Sequence, residues 1–175
     1  VNMFEKFELW KHFGVYGVAI DNEKLLVIEK NSGPYQNRYD LPGGSQEVGE
    51  SMVDTLEREV LEETGFTVLA STNNRLYSAW IYENDRRVLT HHIFNLFDVK
   101  LNSVAKKLPQ FVADGKNDSD RAVWTSIKNL SVENSSPLVL KVIAEINNYP
   151  HVDKAEIYRD WKVNYGSKNY PKSLV

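Results

Sequence analysis

The sequence contains no cysteine and only two methionines in 175 residues. Without cysteine there can be no disulfide framework, no thiolate zinc site and no thiol nucleophile. That is compatible with a reducing compartment, and the chain reads as cytoplasmic. Long apolar runs are missing too. No stretch approaches the ~20 apolar residues of a membrane-spanning helix. Val1–Lys11 mixes charges with aromatics and forms no secretory apolar core. Nor is there an excess of positive charge: 21 Lys and Arg face 24 Asp and Glu, a net charge of −3. A nucleic-acid backbone would meet no whole-protein basic field, so no nucleic-acid partner is expected. If a substrate carries phosphates, local groups or a divalent cation must neutralise them. What is present is ordinary: 42% hydrophobic and 26% charged residues, enough to build one core without covalent staples.

Along the chain, Phe13–Ile20 and Leu25–Glu29 are β-rich runs separated by Asp21-Asn22-Glu23, which predicts a hairpin. Asn31–Tyr39, with Gly33-Pro34, reads as a loop, and Leu41-Pro42-Gly43-Gly44 as a second backbone break. Ser51–Thr64 is the clearest helix. Ser51 and Asp54 form a capping-box start, Val53, Leu56 and Val60 give an apolar stripe, and Gly65 stands at the C′ position. Leu76–Tyr82 and Val88–Val99 are predicted strands joined by a polar turn. Ala105–Asp120 is predicted as a loop, Ala122–Ile127 as a strand and Pro137–Ile146 as a helix. His91 and His92 are neighbours on a strand and point to opposite faces, so they cannot form a ligand pair. The stretch His151–Val175 alternates aromatic and basic residues and takes no assigned role.

Chemistry concentrates on the first helix. Glu59, Glu62 and Glu63 lie at i, i+3 and i+4, on a face distinct from the apolar stripe. On their own, three acids read most simply as a solvated helix face. Carboxylates this close raise each other's pKa unless positive charge lies between them. Arg58 can pair with Glu62 at i+4, but one guanidinium leaves excess negative charge. A divalent cation is the natural complement, and oxygen-only donors select Mg²⁺ or Mn²⁺ over zinc. Gly43-Gly44 and Glu50 lead into the same helix and can bring a carbonyl and a further carboxylate towards it. Hydrolysis of a phosphoric anhydride is the chemistry that needs such a cluster.

Gly44-Ser-Gln-Glu-Val-Gly-Glu50, seven further residues, then Arg58-Glu59-Val60-Leu61-Glu62-Glu63-Thr64-Gly65-Phe66 resembles the Nudix box. The family pattern is G-x5-E-x7-R-E-U-x-E-E-x-G-U, with U an apolar residue, and every specified position matches. The resemblance, to the MutT-like Nudix hydrolases, implies an α/β fold: an α/β/α sandwich around a mixed β-sheet, with the box as a loop–helix–loop. It implies a single domain over residues 1–150, followed by a C-terminal extension, 151–175, packed on the domain or on a partner. It also implies Mg²⁺ (or Mn²⁺) as cofactor, held by Glu59, Glu63, Glu62 and the Gly43 carbonyl. Glu62 is either a ligand or the group that handles the water, Arg58 orients a catalytic glutamate, and Glu50 braces the loop or reaches the metal through water. Some relatives draw the base from a loop outside the box, where this chain offers Asp118 and Asp120. Tyr82 and Tyr77 lie downstream of the box, where the family commonly places substrate-selecting residues. The proline frequent in ADP-ribose pyrophosphatases at this region is replaced by Trp80.

The implied activity is metal-dependent cleavage of a small-molecule nucleotide substrate, a nucleoside diphosphate linked to another moiety: a nucleoside triphosphate, a nucleotide sugar or a dinucleoside polyphosphate. A non-catalytic Nudix-fold nucleotide-binding or regulatory module is the alternative. Such modules usually lose box acids, and this chain keeps every one. A homodimer is the expected assembly.

Overall fold

In the computed structural model, residues 6–104, 111–112, 115–116, 119–149 and 154–166 are described, the strand side chains of 111–112 and 115–116 excepted. The backbone opens with β1 (Glu8–Val18), β2 (Ile20–Asp21) and β3 (Lys24–Lys30). The predicted hairpin is confined to β2 and β3, which pair antiparallel around Asn22 and Glu23, both at positive φ. The preceding run goes elsewhere. Residues Val15–Val18 are buried on both faces, as suits a strand in the middle of a covered sheet, and β1 joins a second sheet.

Two two-residue strands follow, β4 (Tyr39–Asp40) and β5 (Gly43–Gly44). Helix α1 spans Met52–Thr64, with Ser51 and Asp54 closing a reciprocal capping box and Gly65 at φ +74° ending it. Strands β6 (Val68–Glu83) and β7 (Val88–Leu101) each extend beyond the predicted bounds. Most of the extra length of β6 is exposed, so alternation of apolar residues does not mark it. The predicted Ala105–Asp120 loop contains β8 (Phe111–Val112) and β9 (Gly115–Lys116), which pair as a small hairpin. Then come β10 (Ser119–Ser126), α2 (Pro137–Ile146) and β11 (Glu156–Tyr158).

The main sheet has five strands in the order β11-β6-β7-β1-β5. It is mixed: β1 runs parallel to β7 and antiparallel to β5, and β6 runs antiparallel to β7 but parallel to β11. A second, antiparallel sheet holds β10, β3 and β2, with β4 paired to β3. Leu56 and Val60 of α1 pack on one face of the main sheet with Val15, Val68 and Phe97. The other face forms the larger core, where Tyr16, Phe94 and Leu96 meet Leu138 and Val142 of α2 and Leu25 and Val27 of β3. A helix therefore covers each face of the main sheet, as an α/β/α sandwich requires, while the remaining described strands form the second sheet and the small β8–β9 hairpin. Val53 is 39% exposed and leaves the expected stripe. The buried face of α1 takes Thr55 and Glu63 instead. No described helix is long and apolar enough to cross a membrane.

Candidate active site

A cleft of about 350 Å³ opens where α1, the Gly43–Gly44 strand and the end of β1 meet the Lys30–Tyr35 segment. That volume lies in the range of small-molecule sites. Glu59, Glu62 and Glu63 all line it, together with Lys30, Asp40, Gly43 and Gly44. The i, i+3, i+4 spacing thus brings the three carboxylates to one opening.

Their environments differ. Glu63 is 3% exposed. Its Oε2 accepts the Gly43 backbone N–H at 2.8 Å, and Lys30 Nζ lies 3.9 Å from its Oε1. Burial lifts the Glu59 carboxyl from 4.5 to about 7, against the opposing pull of the Arg58 guanidinium. Glu62 is the more open member and stands 3.5 Å from Arg58 Nη1.

Arg58 is oriented mainly by Glu50 and only weakly by the expected i+4 pairing. Its Nε donates to Glu50 Oε1 at 2.6 Å and its Nη2 to Glu50 Oε2 at 3.0 Å. That two-pronged pair fixes the guanidinium plane. Nη1 then donates to Glu59 Oε1 at 2.8 Å, and Nη2 also donates to the Ser45 carbonyl at 2.9 Å. Glu50 accepts the Glu47 N–H and the Thr55 hydroxyl as well. These bonds, the Arg58 pair first, pull its pKa down to about 2. Glu50 is thus an anchored anion outside the cleft lining, and it braces the loop.

The two glycines matter for different reasons: Gly43 for the backbone, Gly44 for the placement of Glu59. Gly43 sits at φ +147°, and a Cβ there would meet the Val15 carbonyl oxygen at 2.2 Å. A Cβ on Gly44 would lie 2.7–2.8 Å from the Glu59 carboxylate atoms. As the side chains stand, no three acidic or imidazole groups among the described residues converge into a ready-made ion cage. Glu59 is turned to Arg58, and Glu63 to the Gly43 N–H. The donor set nevertheless fits a hard divalent cation: three carboxylates on one wall, and a glycine keeping the space beside Glu59 clear.

The remaining candidates are elsewhere. Tyr77 and Tyr82 belong to β6, which β7 separates from β1, and neither lines the cleft. The Tyr77 hydroxyl donates to Glu145 at 2.6 Å, and Tyr77 lines a separate pocket. Tyr82 is buried, with Phe7 edge-on to its ring at 5.5 Å. Asp120 is exposed, accepts from Asn31 Nδ2 at 3.0 Å and does not line the cleft. Asp118 lies outside the described residues.

The cleft also holds groups that the sequence does not announce. His92, 2% exposed, sits between two hydroxyls: Tyr35 at 2.8 Å from Nδ1 and Tyr16 at 3.0 Å from Nε2. Burial lowers its pKa well below the usual histidine value, so the ring is neutral. His12 Nε2 lies 3.3 Å from the same Tyr16 hydroxyl. The parallel register, His12 opposite His92, brings His12, Tyr16 and His92 together, and the loop after β3 adds Tyr35.

The NUDIX domain family model matches residues 10–144. The ADP-ribose pyrophosphatase of Methanocaldococcus jannaschii is 31% identical over 77 residues, covering 43% of this chain and 46% of that protein. The chain spans less than half the length of the curated relatives it matches. Among solved structures, a NUDIX hydrolase from Nitrosomonas europaea superposes with a TM-score of 0.58 at 26% identity, covering 78% of this chain and 88% of that one. The MutT NUDIX hydrolase from Burkholderia pseudomallei superposes with a TM-score of 0.59 at 15% identity, over 77% of this chain and 96% of that one, a likeness of fold. With the box complete and the family model spanning most of its length, this chain belongs to the Nudix family.

Proposed function

We propose that the protein is a divalent-cation-dependent pyrophosphohydrolase that cleaves the phosphoanhydride of a nucleoside diphosphate linked to another moiety. One observation carries the reading: Glu59, Glu62 and Glu63 line a single cleft while Glu50 locks Arg58 beside them. A divalent cation bound there would offset phosphate charge and acidify water. Glu62, Glu63 and the Gly43 carbonyl are the groups to hold it. Glu59, whose burial raises its proton affinity to about 7, is the group suited to take a proton near neutral pH. Arg58 fixes the direction of the Glu59 carboxylate, and Lys30 and Lys11 at the cleft suit the remaining phosphate charge. The relative named as an ADP-ribose pyrophosphatase puts ADP-ribose on the substrate panel, beside nucleoside triphosphates, nucleotide sugars and dinucleoside polyphosphates.

The test is turnover of that panel with Mg²⁺ and with Mn²⁺. We expect metal-dependent release of a nucleoside monophosphate or pyrophosphate, and a kcat at least about 10²-fold lower in Glu59→Gln and Glu63→Gln. Saturable nucleotide binding without turnover of any compound would favour the non-catalytic module. Wild-type rates in both variants would remove these residues from the chemistry.

A further inference from the structure

The residues after α2 lie outside the span matched by the family model, yet their described part packs against residues that form a wall of the cleft. β11 adds a parallel strand to β6, pairing Ile157 with Trp80. Trp161 then turns inward and is 7% exposed. Its backbone N–H donates to the Tyr82 carbonyl at 3.0 Å, and its indole Nε1–H to the Pro34 carbonyl at 2.8 Å. The Arg38 guanidinium covers the indole at 4.2 Å and donates through Nη2 to the Lys162 carbonyl at 3.2 Å. Asn37 Nδ2 donates to the Asn164 carbonyl. The segment 34–38 is thus gripped at both ends by backbone and side chains from the C-terminal segment.

That grip matters because Pro34 and Tyr35 form a cleft wall. Tyr35 meets Trp161 edge-on at 5.8 Å, and its hydroxyl reaches His92. Paired strands supply another wall: Trp10 opposite Thr90 and His12 opposite His92, with all four side chains lining the cleft. Trp10 is 53% exposed, a large ring left open to solvent at a cleft. Trp10, His12 and Pro34 offer surface to the cleft, backed by the buried rings of Tyr35 and His92, and such a lining suits a flat, π-rich ligand portion rather than more phosphate.

We propose that the C-terminal segment, through Trp161, positions the Pro34–Tyr35 wall so that this wall and Trp10 receive the planar heteroaromatic ring of the substrate. Trp161 is a positioning residue: it touches the wall, not the ligand. The assignment rests on reading the cleft as a phosphoanhydride site, and it names the chemistry of the group attached to that anhydride.

The test uses the full chain with Mg²⁺, comparing wild type with Trp161→Phe, Trp161→Ala and Tyr35→Phe. Near-ultraviolet circular dichroism and a cooperative melt establish that each is folded. Trp161→Phe keeps a ring against Tyr35 and Arg38 but removes the N–H that holds Pro34. Calorimetric titration compares a nucleoside 5′-monophosphate with ribose 5-phosphate, which carries the same phosphate without the ring. We expect nucleoside monophosphate binding to weaken at least about fivefold in Trp161→Phe and in Tyr35→Phe, and further in Trp161→Ala, with ribose 5-phosphate binding changed less than about twofold. For a turned-over nucleotide, KM should rise in Trp161→Phe by more than kcat falls. Equal losses for the two probes, unchanged binding of both, or no nucleoside monophosphate binding by wild type would each overturn the proposal. Failure of the hydrolase reading looks different: no nucleotide is turned over, while the difference between the two probes persists.

Discussion

At Gly44 a side chain would displace the Glu59 carboxylate, because a Cβ would lie 2.7–2.8 Å from its atoms. The obstruction falls on the end of a side chain, not on backbone, so the fold can yield by moving Glu59. Gly44→Ala should therefore lower kcat by about tenfold or more while changing stability by less than about 1 kcal/mol. Steady-state kinetics beside thermal melts check this, and a variant with wild-type kcat would show that the carboxylate's placement beside Gly44 is immaterial. Glu50 illustrates the opposite condition. Both of its oxygens accept hydrogen bonds, from Arg58, Thr55 and the Glu47 N–H, and the pKa of about 2 that results, with Arg58 the largest cause, makes Glu50 a poor proton acceptor near neutral pH.

Among elements, α1 is the rigid carrier of the acids, and its start depends on the Ser51–Asp54 box. Ser51→Ala leaves the Asp54 N–H without its side-chain acceptor and should cost about 1 kcal/mol, read as a lowered midpoint in urea at unchanged slope. An unchanged midpoint would mean solvent or the neighbouring loop replaces the cap. This helix was legible from the sequence because its signals are local: caps, a C′ glycine and an acid triplet at helical spacing. The five-stranded sheet was less so. The β1–β7 pairing links residues 80 apart, Glu8 with Val88 to Val18 with Asp98, and no local pattern encodes such a register. For that reason Trp10, His12 and His92 did not announce themselves as cleft residues. Tyr77 and Tyr82 looked well placed by position along the chain, yet the strand order sets them two strands from β1. Val53 failed as a core residue for a related reason. The helix turns Thr55 and Glu63 inward, where Glu50 and the Gly43 N–H satisfy them, and polar burial of that kind is invisible to apolar periodicity.

At the scale of the whole molecule, the proposed function makes protons and a divalent cation competitors for one acidic cleft in a chain of net charge −3. Glu59 has its folded pKa raised from 4.5 to about 7 by burial. Its favourable contribution is therefore complete below about pH 4.5 and is lost as pH rises through about 7. Glu50, pulled down to about 2 by Arg58, works in the other direction: its contribution is present above about pH 4.5 and fades as pH falls towards 2. Between these limits the metal-free protein carries an increasingly charged, partly desolvated Glu59 beside Glu62 and Glu63. A cation relieves that charge, and relieves more of it once the proton has left. The rise in melting temperature on adding Mg²⁺ should hence be small near about pH 5.5 and grow through about pH 7 to a plateau near about pH 8.5. In Glu59→Gln, which cannot ionise, the Mg²⁺-induced rise should lose most of this pH dependence. Differential scanning fluorimetry across that range, with and without Mg²⁺, decides the matter. A Mg²⁺ effect in wild type that is flat with pH, or one equally steep in Glu59→Gln, would mean that the buried Glu59 proton is not what the cation displaces.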